Sequence, residues 1–153
     1  MKEDISNEQQ NKQSCKTGVS SGALLKALGL YLPYKIKAYF KETNDRYCRK
    51  YVIGSVHSVY DDGSITCYDT VNSSPDKFKL ILVPLDDFYD INCKSICESG
   101  FDLTTQMTLV DLCLGKIHYT CLRYSDMKEF LRSHIDIFGL IEKGFAVSIH
   151  DVV

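Results

Sequence analysis

The sequence predicts an α+β fold in which a small antiparallel sheet of about four strands, from Tyr34 to Val83, packs against a helical C-terminal half. In the first half of the chain, apolar and polar residues alternate with the period of a half-buried strand. The segment Asp61–Gly63 separates two runs rich in β-branched and aromatic residues, which indicates a hairpin. After Pro84 this alternation fades, and apolar residues recur at helical spacing.

The chain is expected to begin with a disordered tail, residues 1–19, followed by a single α+β domain over residues 20–153. The tail is rich in Gln, Asn, Lys and Glu and contains almost no apolar residues, so burial cannot offset the entropy lost on ordering. A short helix follows, because Ser20 or Ser21 can cap its first turn and Gly29 can accept the left-handed conformation beyond its last turn.

Four segments have the composition of β-strands. Residues 34–41 alternate strictly, and the predicted hairpin joins residues 51–60 to residues 64–71. Residues 78–83 become apolar on both faces and stop at Pro84, which is typical of a central strand. These four strands in succession predict an antiparallel meander or a small barrel.

Short helices and one further strand are predicted after Pro84. Residues 85–88 begin a short helix, and residues 102–114 have helical spacing although three threonines lower their helix propensity. Residues 145–149 have the composition of a final strand, which we expect to return to the sheet edge.

The longest predicted helix covers residues 125–143. Its apolar residues recur on one face, Ser125 can cap its first turn, and Gly144 can end it. Gly139 lies inside this helix and costs about 1 kcal/mol relative to alanine. We therefore expect close packing of another backbone against Gly139 to offset that cost.

The charge is balanced overall but uneven along the chain. The 153 residues contain 18 Lys and Arg against 20 Asp and Glu, a net charge of −2. This balance gives no whole-molecule field that would attract nucleic acid or anionic lipid, so any such binding requires a local patch. Residues 31–60 contain six basic and two acidic residues, whereas residues 84–113 contain one basic and six acidic residues.

The candidate binding residues are Lys35, Lys37, Tyr39 and Lys41, which share one face of the strand predicted over residues 34–41. A basic and aromatic strand surface is the kind of platform to which single-stranded nucleic acid binds. An acidic protein partner is the second interpretation. The third is structural, since lysines on an edge strand prevent edge-to-edge pairing.

Two clusters suggest metal chemistry but favour simpler interpretations. Cys93 and Cys97 would lie on one face of a helix, yet a structural zinc site needs four ligands and no second pair has suitable spacing. Most of the seven cysteines are therefore predicted to be packing residues. Asp86, Asp87 and Asp90 could bind a divalent cation, but carboxylates where a helix begins more simply cap its first turn.

Nucleophilic catalysis would require a cysteine beside a base. His57 and Cys67 lie on the predicted hairpin and could face each other across its strands, depending on the register. The sequence contains no serine-hydrolase elbow, phosphate-binding loop or dinucleotide fingerprint. We therefore predict no catalytic residue, no metal site and no cofactor.

Three segments resemble one group of proteins. They are Leu32-Pro33-Tyr34, residues 81–88 (ILVPLDDF) and residues 134–146 (HIDIFGLIEKGFA). In these segments the chain resembles small uncharacterised proteins that are encoded in bacteriophages and prophage-like elements of gut bacteria of the Bacteroides group. The resemblance implies a phage origin and supports a mixed fold, and it carries no known activity or catalytic residues.

These observations predict a non-enzymatic phage accessory protein that binds a phage or host protein. The alternative is a binder of nucleic acid or of a nucleotide ligand, acting as an antagonist of host defence. A thiol-dependent enzyme using Cys67 and His57 is the third hypothesis. Because the N-terminal residues lack an apolar export segment and no apolar run is long enough to span a membrane, the expected location is the cytoplasm of the bacterial host, with virion association as a further option.

Overall fold

The computed structural model describes residues 21–41, 51–67, 70–73 and 76–152. The α-helices are α1 Ser21–Tyr31, α2 Lys94–Glu98, α3 Leu103–Cys113 and α4 Tyr124–Arg132. The strands are β1 Lys37–Lys41, β2 Tyr51–Val59, β3 Ile65–Cys67, β4 Thr70–Ser73, β5 Phe78–Leu82 and β6 Ala146–Ser148. The predicted α+β class, with helices of the C-terminal half packed on a sheet, is confirmed.

The six strands form one mixed sheet in the order β4-β3-β2-β1-β5-β6. Strands β1 to β5 pair antiparallel, and β6 adds to β5 in parallel at the sheet edge. The order is not a simple meander, because β5 returns to the far side of β1 and pairs with it. The predicted third strand is divided into β3 and β4, which pair with each other so that Cys67 lies opposite Thr70.

The predicted hairpin at residues 61–63 is confirmed and joins β2 to β3. Tyr60 N–H donates to the carbonyl of Ser64, and Gly63 takes a positive φ of 80°. The Asp62 carboxylate accepts from the Ser64 N–H at 2.8 Å and from its hydroxyl at 2.6 Å. These hydrogen bonds lower the pKa of Asp62.

The hydrophobic core lies on one face of the sheet. Gly54, Ala38, Leu80 and Ala146 form a row across β2, β1, β5 and β6, and all four are buried. The helices contribute the opposite side of this core, through Leu24, Leu28, Ile96, Leu109, Leu112, Phe130 and Leu131. In the described part of the chain, the helices therefore cover the face that carries this row.

Helix α1 is longer than predicted, since it continues past Gly29 to Tyr31. The Tyr31 side chain is fully buried, and its hydroxyl donates a hydrogen bond to the carbonyl of Ile135. The 3₁₀ turn Leu32–Tyr34 then ends the helix at Pro33, as predicted. The predicted tail, residues 1–19, and the capping residue Ser20 lie outside the described residues.

The short helices predicted in the second half are confirmed. Residues Leu85–Phe88 form a 3₁₀ helix. Residues Leu103–Cys113 form α3, which Asp102 caps by accepting from the Thr105 N–H at 2.9 Å. This capping bond lowers the pKa of Asp102.

The long helix predicted over residues 125–143 is wrong, because α4 ends at Arg132. His134 takes a left-handed φ of 57°, which stops the helix, and Ile135 then forms a parallel bridge with Val83. Ser125 is also not a cap, since the N-cap position is Arg123. Pairing with the end of β5 therefore overrides the helical periodicity of this segment.

Gly139 has a different role from the predicted close packing. Its φ is +65°, and a Cβ built on it would meet no atom within 4 Å outside its immediate neighbours. The residue is needed for its backbone conformation in the turn after Asp136, and Gly144 follows with a φ of +79°. Ala146 then begins β6.

Candidate binding face

The two faces of β1 differ in character. Ile36, Ala38 and Phe40 are buried in the core, whereas Lys37 is exposed and Tyr39 half-buried on the opposite face. This alternation follows from the two-residue period of a strand. The lysine and tyrosine side chains therefore lie on the sheet face that is turned away from the core.

Cross-strand register adds residues from two further strands to this face. Tyr39 lies opposite Ile53 of β2 and opposite Lys79 of β5. Lys37 lies opposite Ser55. We call these five residues the basic face: Lys37, Tyr39, Ile53, Ser55 and Lys79.

Exposure shows that the basic face is accessible. Ile53 is 47% exposed, and Lys37 and Lys79 are both exposed, while Tyr39 and Ser55 are half-buried. None of the five residues is acidic. The arrangement places an apolar and aromatic centre between two cations.

Two of the predicted binding residues stand apart from this face. Lys35 precedes β1 and takes a left-handed φ of 57°, where its N–H donates to the carbonyl of Leu32 and closes the 3₁₀ turn. Lys41 pairs in register with Tyr51, but the side chains of both lie outside the description. The structure thus groups Lys37 with Tyr39 and excludes Lys35 from the strand.

The edge-strand interpretation of these lysines is wrong. Strand β1 lies inside the sheet, with β2 on one side and β5 on the other, so it has no free edge to protect. Ile53 and Lys79, which sequence reasoning missed, join Tyr39 only through this pairing. The alternation around Lys79 in β5 was visible in the sequence, but its neighbour was not.

The same sheet face becomes closed towards β6. Ile81 of β5 lies opposite Val147 of β6, and Ile81 is only 6% exposed. The accessible region is therefore the part around β1, β2 and the start of β5.

The predicted catalytic pair is not brought together. Cys67 is 2% exposed and belongs to the core, where the Gly54 backbone packs against it. His57 is exposed, and its Nδ1 lies 2.8 Å from the hydroxyl of Ser58. A nucleophile needs a base within hydrogen-bonding reach and an approach for substrate, and this pair offers neither.

Thiol labelling would check this description of the cysteines. Cys97 and Cys121 are exposed, whereas Cys67 and Cys93 are buried. We expect a maleimide to modify Cys97 and Cys121 at least about 100-fold faster than Cys67 in the folded protein, because a buried thiol is inert. Peptide mapping measures each site, and unfolding in urea should remove the difference. Fast labelling of Cys67 in the folded state would contradict the description.

The cysteine and aspartate clusters make local hydrogen bonds. The Cys93 and Cys97 thiols donate to the carbonyls of Asp87 and Asn92, at 3.3 and 3.7 Å. Asp87 Oδ2 lies 2.7 Å from His150 Nε2, which ties the last 3₁₀ turn to the Leu85–Phe88 turn. In the ranges that the structure describes, no group of three or more His, Cys, Asp or Glu side chains could hold a metal ion.

The capping role predicted for the aspartates is only partly correct. Asp86 and Asp87 lie in the first turn of the Leu85–Phe88 helix, but no side chain caps it. The Asp90 carboxylate accepts instead from the N–H of Asn92 at 2.7 Å.

A cleft of about 890 Å³ lies between the N-terminal ends of α3 and α4. Its central carboxylate, Asp126, is 1% exposed and accepts two hydrogen bonds from Arg123, at 2.7 and 2.9 Å. The Thr105 hydroxyl donates a third at 3.1 Å. These partners satisfy the carboxylate and raise the pKa of Arg123, so the network fastens α3 to α4.

No helix in the described residues is both long and apolar enough to cross a bilayer. Comparison of the chain with protein-family models, curated proteins and solved structures gives no match.

Proposed function

We propose that this chain is a non-enzymatic, phage-encoded accessory protein that binds an acidic protein of the phage or of its host through the basic face. One observation carries the proposal: Tyr39 and Ile53 lie opposite each other in register, with Lys37 and Lys79 beside them, on an accessible sheet surface. The phage origin is supported by the resemblance of the sequence, and the charge of the face supports the acidic partner.

The apolar part of the basic face favours a protein over a nucleic acid. Protein interfaces combine an apolar or aromatic centre with a charged rim, which is the arrangement of Ile53 and Tyr39 between Lys37 and Lys79. Single-stranded nucleic acid binds platforms on which successive bases stack on aromatic rings. Tyr39 is the only aromatic residue of the basic face, and Tyr60 lies seven residues from Ile53, roughly 20 Å along the strand.

Nucleic acid is the second candidate, supported by the placement of Tyr39 among lysines. A phosphate backbone would contact Lys37 and Lys79 while one base stacks on the tyrosine ring. This binding would not need Ile53. The two candidates therefore differ in their dependence on that residue.

The test is capture by the immobilised full chain, from nuclease-treated host lysate and from disrupted phage particles. We expect a stoichiometric acidic protein that resists nuclease and is released by salt. An Ile53→Asp variant should lose it, because the carboxylate replaces an apolar contact and repels an acidic surface. Leu30→Asp is the matched control, since Leu30 is 42% exposed on α1 and should leave capture unchanged.

Equal capture by the wild type and Ile53→Asp would contradict the proposed surface. A labelled oligothymidine, measured by fluorescence anisotropy at low salt, tests the second candidate. Binding that survives Ile53→Ala but is lost in Tyr39→Ala, without a captured protein, would favour nucleic acid over protein.

A further inference from the structure

Helix α3 carries two apolar stripes on opposite sides. Thr105, Leu109 and Leu112 are buried against the core. The second stripe, which we call the outer seam, consists of Leu103, Met107, Val110 and Leu114. Three of these side chains are more than half exposed: Leu103 at 65%, Met107 at 56% and Leu114 at 51%.

The spacing of the outer seam is that of a helix–helix contact. Its members are separated by four, three and four residues, which is the repeat that keeps apolar side chains facing a second helix. Single exposed apolar residues need no explanation, but a stripe along a whole helix does. The seam is therefore an interaction surface.

Charge indicates which partner fits the outer seam. None of its four residues is charged, and the only charged residue of α3, Asp111, lies at its edge and pairs with Lys116 at 3.4 Å. A two-fold axis brings identical residues together, so an uncharged seam creates no like-charge repulsion between copies. A charged partner would gain nothing from this surface.

We infer that a second copy of this chain covers the outer seam, with the two α3 helices packed about a two-fold axis. An 11-residue helix is about 16 Å long, so a helix pair buries less than the roughly 1,200–2,000 Å² of a standard stable interface. The dimer is therefore reversible, and its population rises with protein concentration. This inference is independent of the proposed function, since it concerns another surface.

Sedimentation velocity of the full chain, from about 5 to about 500 μM, tests the inference by mass action. The expected result is an average mass that rises from the monomer value of 17.4 kDa towards twice that value. Met107→Lys should remain monomeric throughout, because two ammonium groups would meet at the seam. Met107→Leu should dimerise as the wild type does. Ile53→Lys is the matched control on the sheet face and should also dimerise.

A wild type that is monomeric at the highest concentration would overturn the inference, as would a Met107→Lys variant that associates normally. Loss of dimer in Ile53→Lys would move the interface to the sheet and overturn it as well. Far-UV circular dichroism of each variant ensures that the comparison is between folded chains.

Discussion

Replacement of Asp136 with alanine is expected to lower the free energy of unfolding by about 2–4 kcal/mol. The carboxylate is 4% exposed and accepts from the N–H of Leu140 at 2.7 Å and of Ile141 at 2.8 Å. Alanine would leave both donors without their partner, one of them on a fully buried residue. The turn that these bonds close carries Ile137 and Leu140 into the core.

Urea unfolding, followed by circular dichroism, measures this loss. Asp61→Ala is the matched control, because Asp61 is exposed in the hairpin turn and should change stability by less than about 0.5 kcal/mol. An Asp136→Ala protein as stable as the control would mean that the carboxylate does not hold the turn.

Asp136 also predicts a specific pH dependence. Burial raises the pKa of its carboxyl above the ordinary value of 3.8, despite the two hydrogen bonds. In the folded state it therefore binds its proton more tightly than in the unfolded state, so its contribution to stability falls as pH rises from about 4 through the folded pKa. The stability difference between wild type and Asp136→Asn should shrink over that range. A difference that grows with pH would contradict the assignment.

Local sequence signals predicted most of the sheet because each depends on neighbouring residues. The alternation around Ala38, the hairpin turn at residues 61–63 and the apolar run of β5 all appear in their expected places. The pairing of β5 with β1 was not predictable in this way. It depends on the long-range contact between Ala38 and Leu80, and no local pattern specifies that contact.

The failure of the long C-terminal helix has the same cause. Residues 125–143 have helical periodicity, yet the Val83 N–H donates to the carbonyl of His134, and the Asp136 N–H donates to the carbonyl of Val83. The end of β5 thus takes backbone groups that a helix would have used. The candidate site was half predictable for a related reason: Lys37 and Tyr39 share a strand, but Ile53 and Lys79 reach them only through the sheet order.

Reversal of the two lysines of the basic face should give the largest effect on binding. In a Lys37→Glu, Lys79→Glu double variant, each attraction to an acidic partner becomes a repulsion. We expect the affinity for the captured partner to fall about 100-fold, or roughly 2.7 kcal/mol. Isothermal titration calorimetry with the purified partner measures the change.

A matched double variant separates local charge from total charge. Lys26→Glu with Lys128→Glu lowers the net charge equally, on exposed residues of α1 and α4. We expect its affinity to stay within about threefold of the wild type at physiological salt, where the Debye length is about 8 Å. Equal weakening by both double variants would show that the partner senses only overall charge. Loss confined to Lys37→Glu, Lys79→Glu would instead assign recognition to the basic face, because distant charges are screened and only contacting ones remain.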